Sequence, residues 1–280
     1  MNLVRCTQCS MVYASPMPSD EVLTAYNASY FVTAHGGLNT NPVATAFFSG
    51  IAWIRIGHIE KYIRQYKADV KKILEIGPGT GYFAGNWLKI HKDNQYSAIE
   101  TDISCHDSLK QLGVKVTGMD EIKKSGAWFD MIVLSHVVEH VSRPKEFLSA
   151  MSECVESGGV IFIEVPCRDW EHKPEDEPHL LFFEKKSMME LLTSLGFKNI
   201  QLSYHGQTIE QLKSTPASPT LLQKLCMKLM NRGYTKLASL FYKGDSKYLS
   251  PLEMVAIDPY KPQVETEEPA WWLRAVAMKS

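Results

Sequence analysis

Residues 71–85, KKILEIGPGTGYFAG, decide the fold. Ile73, Leu74 and Ile76 form an apolar run that ends in a loop with glycines at Gly77, Gly79 and Gly81. Residues 82–90 follow at once and suit a helix. Strand, glycine turn and helix open a nucleotide-binding α/β unit. Glycines let the backbone turn tightly and approach a ligand closely, and the helix start offers free N–H groups. The specific detail is Glu75, an acid inside the strand, one residue before its end. A dinucleotide pyrophosphate gains nothing from a carboxylate there, whereas a cationic ligand does.

Downstream, residues 96–100 (YSAIE) read as a second strand ending in Glu100, 23 residues past Gly77. An acid at that distance, at the carboxyl end of the second strand, is placed to accept hydrogen bonds from ribose hydroxyls. Residues 104–112 read as a short helix with Ser104 as N-cap and Gly113 past its end. Residues 114–117 are a third strand. Residues 129–134 (FDMIVL) are apolar after Asp130, the pattern of a strand buried on both faces of a parallel sheet. SHVVEHVSRPKEFL follows, with Pro144 placed for the first turn of a helix, and Gly158-Gly159 turns the chain into a fifth strand at 160–165. A helix closed by Gly196 and a strand alternating Ile200, Leu202 and Tyr204 make a sixth unit, and residues 270–278 (AWWLRAVAM) a final strand.

LEIGPGTG, Glu100 and the order strand, S-H-x-x-E-H-V, helix, G-G, strand resemble the class I S-adenosylmethionine-dependent methyltransferases. The resemblance covers about residues 70–205 and 270–280. It implies an α/β, Rossmann-like fold with a seven-stranded, mostly parallel sheet and an antiparallel last strand. The implied cofactor, S-adenosyl-L-methionine, carries an ammonium and a sulfonium, which suits Glu75. By the same resemblance Glu75, Gly77, Gly79, Gly81 and Glu100 hold the cofactor and Met119 and Asp120 meet its adenine. Ser135 and His136 lie at the carboxyl edge of the fourth strand, where open α/β sheets bind ligands. Capping of the following turn is the plainer account of Asp120.

Transfer from a sulfonium is largely alignment, and a base is needed only where the acceptor is a hydroxyl or a carbon acid. His140 is one candidate, as imidazoles titrate near neutrality, and His179, before Leu180, Phe182 and Phe183, is similar to a histidine that many relatives carry near the acceptor and is the second. Bonding within the strand-to-helix turn is the structural alternative for His140. Some relatives carry E-x-x-E-H at this point and use the Glu and His as metal ligands, but this chain has His136 in the first position.

The flanks divide into residues 1–41, an N-terminal extension, and 206–268, a helical insertion; 42–205 and 269–280 are the methyltransferase domain. Cys6 and Cys9 form C-x-x-C, half of a tetrahedral zinc site. The segment is similar to the second knuckle of a zinc ribbon, which precedes many sugar and small-molecule methyltransferases. Bound zinc would need ligands from another chain or from preceding residues, and two thiols on a turn are the plainer reading. Tyr26, Tyr30, Phe31 and the His35-Gly36-Gly37 hinge suit either a lid over the cofactor or core packing. Residues 42–67 show helical spacing, with Gly50 and Gly57 marking close packing. In residues 220–242 leucines alternate with Lys224, Lys228, Arg232 and Lys236, with Gly233 as a break. This basic amphipathic pair suits a membrane-surface or anionic-substrate face, or a cap packed on the domain or on a second subunit as a homodimer.

Hydrophobic content is 45%, and 30 Lys+Arg against 31 Asp+Glu give a net charge of −1, which disfavours a nucleic-acid partner. No apolar run spans a bilayer, the start lacks an apolar signal region, and the six cysteines are mostly scattered, so a cytoplasmic protein is expected. G-x-S-x-G and a P-loop lysine are absent, and a dehydrogenase would prefer a neutral residue at Glu75 and G-x-G-x-x-G spacing. His136-Val137-Val138-Glu139-His140 also spells H-x-x-E-H, but a metalloprotease needs both histidines on one helix face, and Pro144 follows closely. The expected activity is methyl transfer to a hydroxyl or carbon of a saccharide or other small molecule. The alternatives are a partner subunit that binds the cofactor without methylating, and an RNA-directed methyltransferase.

Overall fold

A computed structural model describes residues 2–28, 41–173, 179–215, 217–243 and 248–280. Strands β1 (Asn2–Arg5) and β2 (Val12–Ser15) form a hairpin, followed by helix α1 (Asp20–Asn27). Helix α2 (Pro42–Tyr66) has Asn41 as its N-cap and stops at Lys67, whose φ of 53° no helix continues. Then come β3 (Lys72–Ile76), α3 (Tyr82–Ile90), β4 (Gln95–Ile99), α4 (His106–Gln111), β5 (Lys115–Val116) and α5 (Met119–Ser125). The helix start before α4 is capped by Asp102, which accepts from the backbone and hydroxyl of Ser104, so the expected cap at Ser104 is a donor instead. Next are β6 (Phe129–Ser135), α6 (Pro144–Ser152), β7 (Val155–Pro166), β8 (Leu181–Phe182) and α7 (Lys185–Ser194). The chain ends with β9 (Phe197–Thr208), α8 (Ile209–Ser214), α9 (Leu221–Asn231), α10 (Thr235–Ala238), α11 (Pro251–Ile257), β10 (Glu265–Thr266) and β11 (Ala270–Lys279).

The main sheet has the order β10-β9-β11-β7-β6-β3-β4-β5. Pairs β3–β4, β3–β6, β4–β5 and β6–β7 are parallel, and β11 runs antiparallel between β7 and β9. The seven expected strands are present, with the last one inserted antiparallel. The two-residue β10 adds an eighth from the insertion, and β1-β2-β8 make a second small sheet. β7 begins before the expected turn, at Val155, and carries Gly158 at φ +82° within it.

Met131, Ile132, Val133 and Leu134 of β6 are fully buried, as are Val160, Ile161, Phe162 and Ile163 of β7. Helices therefore cover both faces of the sheet, and each such side chain stabilises by ~1.5–3 kcal/mol relative to exposure. α2 packs on one face through Ile56, Ile59 and Tyr62. Its two glycines differ. A Cβ on Gly50 would stand 2.7 Å from Ile257 Cγ2 of α11, whereas one on Gly57 would meet nothing within 4 Å. Gly50→Ala is therefore expected to cost about 1–3 kcal/mol by overpacking, and Gly57→Ala to gain about 0.5–1 kcal/mol from helix propensity. Denaturant midpoints of the two variants should move in opposite directions. Among the described residues no helix is long and apolar enough to cross a membrane.

Candidate functional site

The glycine loop joins β3 to α3. Gly77, Gly79 and Gly81 all have positive φ (65°, 56° and 86°), a region side chains disfavour. A Cβ on Gly77 would lie 3.0 Å from Val137, and one on Gly81 would lie 2.8 Å from both Leu109 and Leu112. Glu100, just past β4, ties this loop down: one carboxylate oxygen accepts from Gly79 N–H at 2.8 Å and the other from Asp102 N–H at 2.9 Å. Buried hydroxyls of Thr80 in the loop and Ser135 at the end of β6 have no hydrogen-bond partner among the described residues. Helix α1 bridges this edge. Its Asp20 pairs with Ser142 and Arg143, and the carbonyl of Asn27 accepts from the Thr101 hydroxyl. Tyr26 is half-buried; the other rings and the hinge expected as a lid, Tyr30, Phe31 and residues 35–37, lie outside the described residues.

Glu75 is 3% exposed and its carboxylate accepts from Tyr96 Oη at 2.7 Å. Burial pushes its pKa up to about 7 from the ordinary 4.5, with the Tyr96 bond and Arg55 opposing. The folded chain then keeps a proton that the unfolded chain releases. The contribution of Glu75 to stability should fall as pH rises from 4.5 to about 7, by up to roughly 3 kcal/mol. Glu75→Gln should lack that contribution, so from pH 5 to pH 8 the wild type should lose stability relative to the variant, as denaturation of both at the two pH values would show; equal slopes would count against a buried, proton-holding Glu75.

At the end of β6, His136 adopts φ +56° and Val138–His140 form a 3₁₀ turn, so His136 and His140 do not share an α-helical face. His136 lies between two buried carboxylates, 3.3 Å from Glu139 and 3.3 Å from Glu164. Burial lowers its pKa, but these two acids prevail and raise it. His140 is 8% and His179 7% exposed, with ring centroids 5.1 Å apart. The backbone of Leu180 bonds to the carbonyl of Glu139, seating the later loop on this turn. Asp169 stands behind His179, 3.5 Å from its Nδ1 and 3.6 Å from His172 Nε2, with Lys173 at 2.9 Å. Against its burial, bonds from His172 and His179 and the Lys173 charge hold the Asp169 carboxyl well below the usual range. Glu139, His140 and His179 offer ligand atoms within 4.8 Å of one another, the one such cluster among the described residues.

A family model described as a methyltransferase domain matches residues 55–202. The chain belongs to the class I S-adenosylmethionine-dependent methyltransferases. An uncharacterised protein of Methanocaldococcus jannaschii is 28% identical over 138 residues, covering 46% of this chain and 65% of that relative. The chain thus spans slightly less than two thirds of the curated relative it matches. Among solved structures, a SAM-dependent methyltransferase from Archaeoglobus fulgidus aligns with TM-score 0.52 at 17% identity, over 89% of this chain and 99% of that one. The plantazolicin methyltransferase BpumL, solved with SAH and a monoazolic desmethylPZN analog, aligns with TM-score 0.53 at 16% identity, over 93% of this chain and 96% of that one.

The residues present fit S-adenosylmethionine: a loop that side chains would fill, orphaned hydroxyls at Thr80 and Ser135, and the Glu100 carboxylate at the loop. Gly77, Gly79, Gly81, Glu100, Ser135 and His136 come together at one sheet edge. Glu75 lies beneath it in the core. At the far end Met119 is half-buried against the core, and Asp120 is exposed in the first turn of α5, where an acid favours the helix dipole. Cys6 and Cys9 are free thiols on the β1–β2 turn, and no third ligand accompanies them among the described residues. The methyltransferase also contains groups that sequence spacing missed. Glu164 is fully buried and accepts from Arg55 Nε at 2.8 Å and Arg274 Nε at 2.6 Å. An acid and an arginine inside the apolar strands VIFIEV and AWWLRAVAM were the available signal. Half-buried rings form a further row: Tyr82–Phe48 (5.5 Å), Phe48–Phe47 (5.5 Å), Phe47–Tyr260 (5.1 Å) and Tyr260–Trp271 (5.2 Å).

Proposed function

We propose that this protein transfers a methyl group from S-adenosylmethionine to a hydroxyl, or a carbon acid, of a small sugar-like acceptor. The observation that carries the reading is the buried array His140, His179 and Asp169 beside the glycine loop. The cofactor supplies a methyl already activated on a sulfonium. Gly77, Gly79, Gly81 and Glu100 hold it, with Met119 and Asp120 at the adenine end and Ser135 and His136 at the other. His140 takes the proton of the acceptor hydroxyl as general base. His179, paired through Nδ1 with Asp169, stands against His140 and stabilises the imidazolium that forms. The lowered Asp169 stays ionised throughout. The ring row from Tyr82 to Trp271 supports a sugar-like acceptor, because flat apolar faces edged by polar groups match the C–H faces of a pyranose.

The cluster of Glu139, His140 and His179 favours a second reading, in which these side chains hold a divalent cation. Such an ion would supply Lewis-acid activation of the acceptor oxygen. Release of S-adenosylhomocysteine, measured with a panel of saccharides, small metabolites and RNA, tests the proposal. Turnover with saccharides that survives dialysis against a chelator supports His140 as base. Turnover lost on chelation and restored by added cation replaces it with the second reading. Cofactor binding without turnover on any acceptor identifies a non-catalytic partner subunit, and turnover on RNA alone overturns the sugar-like acceptor.

A further inference from the structure

The insertion keeps its place by an inner stripe that contains none of its exposed leucines. Cys226, Met230 and Ala238 pack with Ala46, Val255 and Ala256. Gln223 donates to Asp258 at 2.7 Å, and Tyr242 donates to the same carboxylate at 2.6 Å. The leucine-rich face thus points away from the domain, contrary to a cap that buries it. Leu221 is 86% and Leu240 79% exposed, and Leu222, Leu225, Leu237 and Phe241 are each more than 40% exposed. Side chains this apolar are costly to leave in water when they form one contiguous patch.

The same stretch is strongly cationic. Residues 211–244 contain Lys213, Lys224, Lys228, Arg232, Lys236 and Lys243 and no aspartate or glutamate, in a chain whose net charge is −1. On α9, Leu221, Leu222 and Leu225 occupy an arc of ~100°, and Lys224 and Lys228 the arc beside it. Lys224, Lys228, Arg232 and Lys236 are all exposed.

We propose that the α9–α10 face seats this protein on an anionic lipid bilayer. Leucines and Phe241 enter the interface between headgroups and acyl chains while the lysines meet lipid phosphates. Charge selects this occupant. A second copy docked symmetrically would bring the same cations face to face, and a nucleic acid would use the lysines but leave the leucines in water. Ala46 and Phe47 of α2 lie beneath the insertion, and Phe47 belongs to the ring row, so docking sets the acceptor side of the sheet beside the membrane.

Co-sedimentation of the full chain with vesicles tests this. Vesicles of phosphatidylcholine and phosphatidylglycerol in equal parts should retain at least about tenfold more protein than pure phosphatidylcholine, and high salt should reduce the difference. The double variant Leu222→Glu/Leu225→Glu, at exposed positions, should keep the far-ultraviolet dichroism and the S-adenosylmethionine affinity of the wild type and lose vesicle binding. Lys224→Gln/Lys228→Gln should lose the preference for phosphatidylglycerol. Equal retention on both vesicles, or none by the folded wild type, overturns the proposal. So does a wild-type dimer in sedimentation velocity that the leucine variant dissociates, or RNA binding that the variant leaves intact.

Discussion

Glu164→Gln should lower the unfolding free energy by about 3–5 kcal/mol, since breaking a buried ion pair leaves uncompensated charge. Glu164 is fully buried, and among the described residues it is the one carboxylate paired with Arg274, itself 1% exposed. Arg55 and His136 approach the same carboxylate. Desolvation opposes ionisation of Glu164, yet the two arginines hold its pKa well below the ordinary range. The amide keeps the shape and removes the charge, so packing is not the variable. With domain stability typically about 5–15 kcal/mol, the loss would be plain in the denaturant midpoint. Adding Arg274→Met should recover part of it, because the remaining charge is then removed as well. A single variant within about 1 kcal/mol of wild type would exclude the network as a structural element. His58 and His205, pushed down to about 3 and about 2 chiefly by burial and by Arg274, stay neutral beside it and supply no replacement charge.

His140→Ala should slow methyl transfer by roughly 10²–10⁴-fold, the range of a general base, while S-adenosylmethionine affinity is unchanged. His140 bonds through its backbone N–H to Val137, a contact alanine retains, so the turn should persist. Asp169→Asn should also slow turnover, because His179 then faces a neutral partner. Its distinguishing effect is on pH: loss of the buried anion lowers the affinity of the imidazole pair for a proton, so the rate profile should move to lower pH. A His140→Ala enzyme with wild-type kcat would remove that residue from the mechanism.

Much of the fold was legible because parallel strands buried on both faces are continuous apolar runs, and these alternate with glycine turns and helices. The glycine loop was legible for a local reason: positive φ at Gly77, Gly79 and Gly81 demands that residue type. The buried ion network was not. Glu164 and its partners Arg55 and Arg274 are 109 and 110 residues apart, so no local spacing records the pairing. Nor was the pairing of Asp169 with His179, which depends on how the segment at Leu180 seats against the 3₁₀ turn. For α9, amphipathic spacing disclosed two faces and not their orientation. Cys226 and Met230, less conspicuous than the leucines, form the side that docks. Ser104 has the residue type of a cap, but Asp102, two positions earlier, has the accepting oxygen.

Titration calorimetry of S-adenosylmethionine into the folded protein tests the central claim most directly. The wild type should bind one equivalent. Glu100→Ala, which removes the proposed ribose acceptor and the tie to Gly79, should bind more weakly by roughly 1–3 kcal/mol. A folded wild type that binds no S-adenosylmethionine would contradict the account.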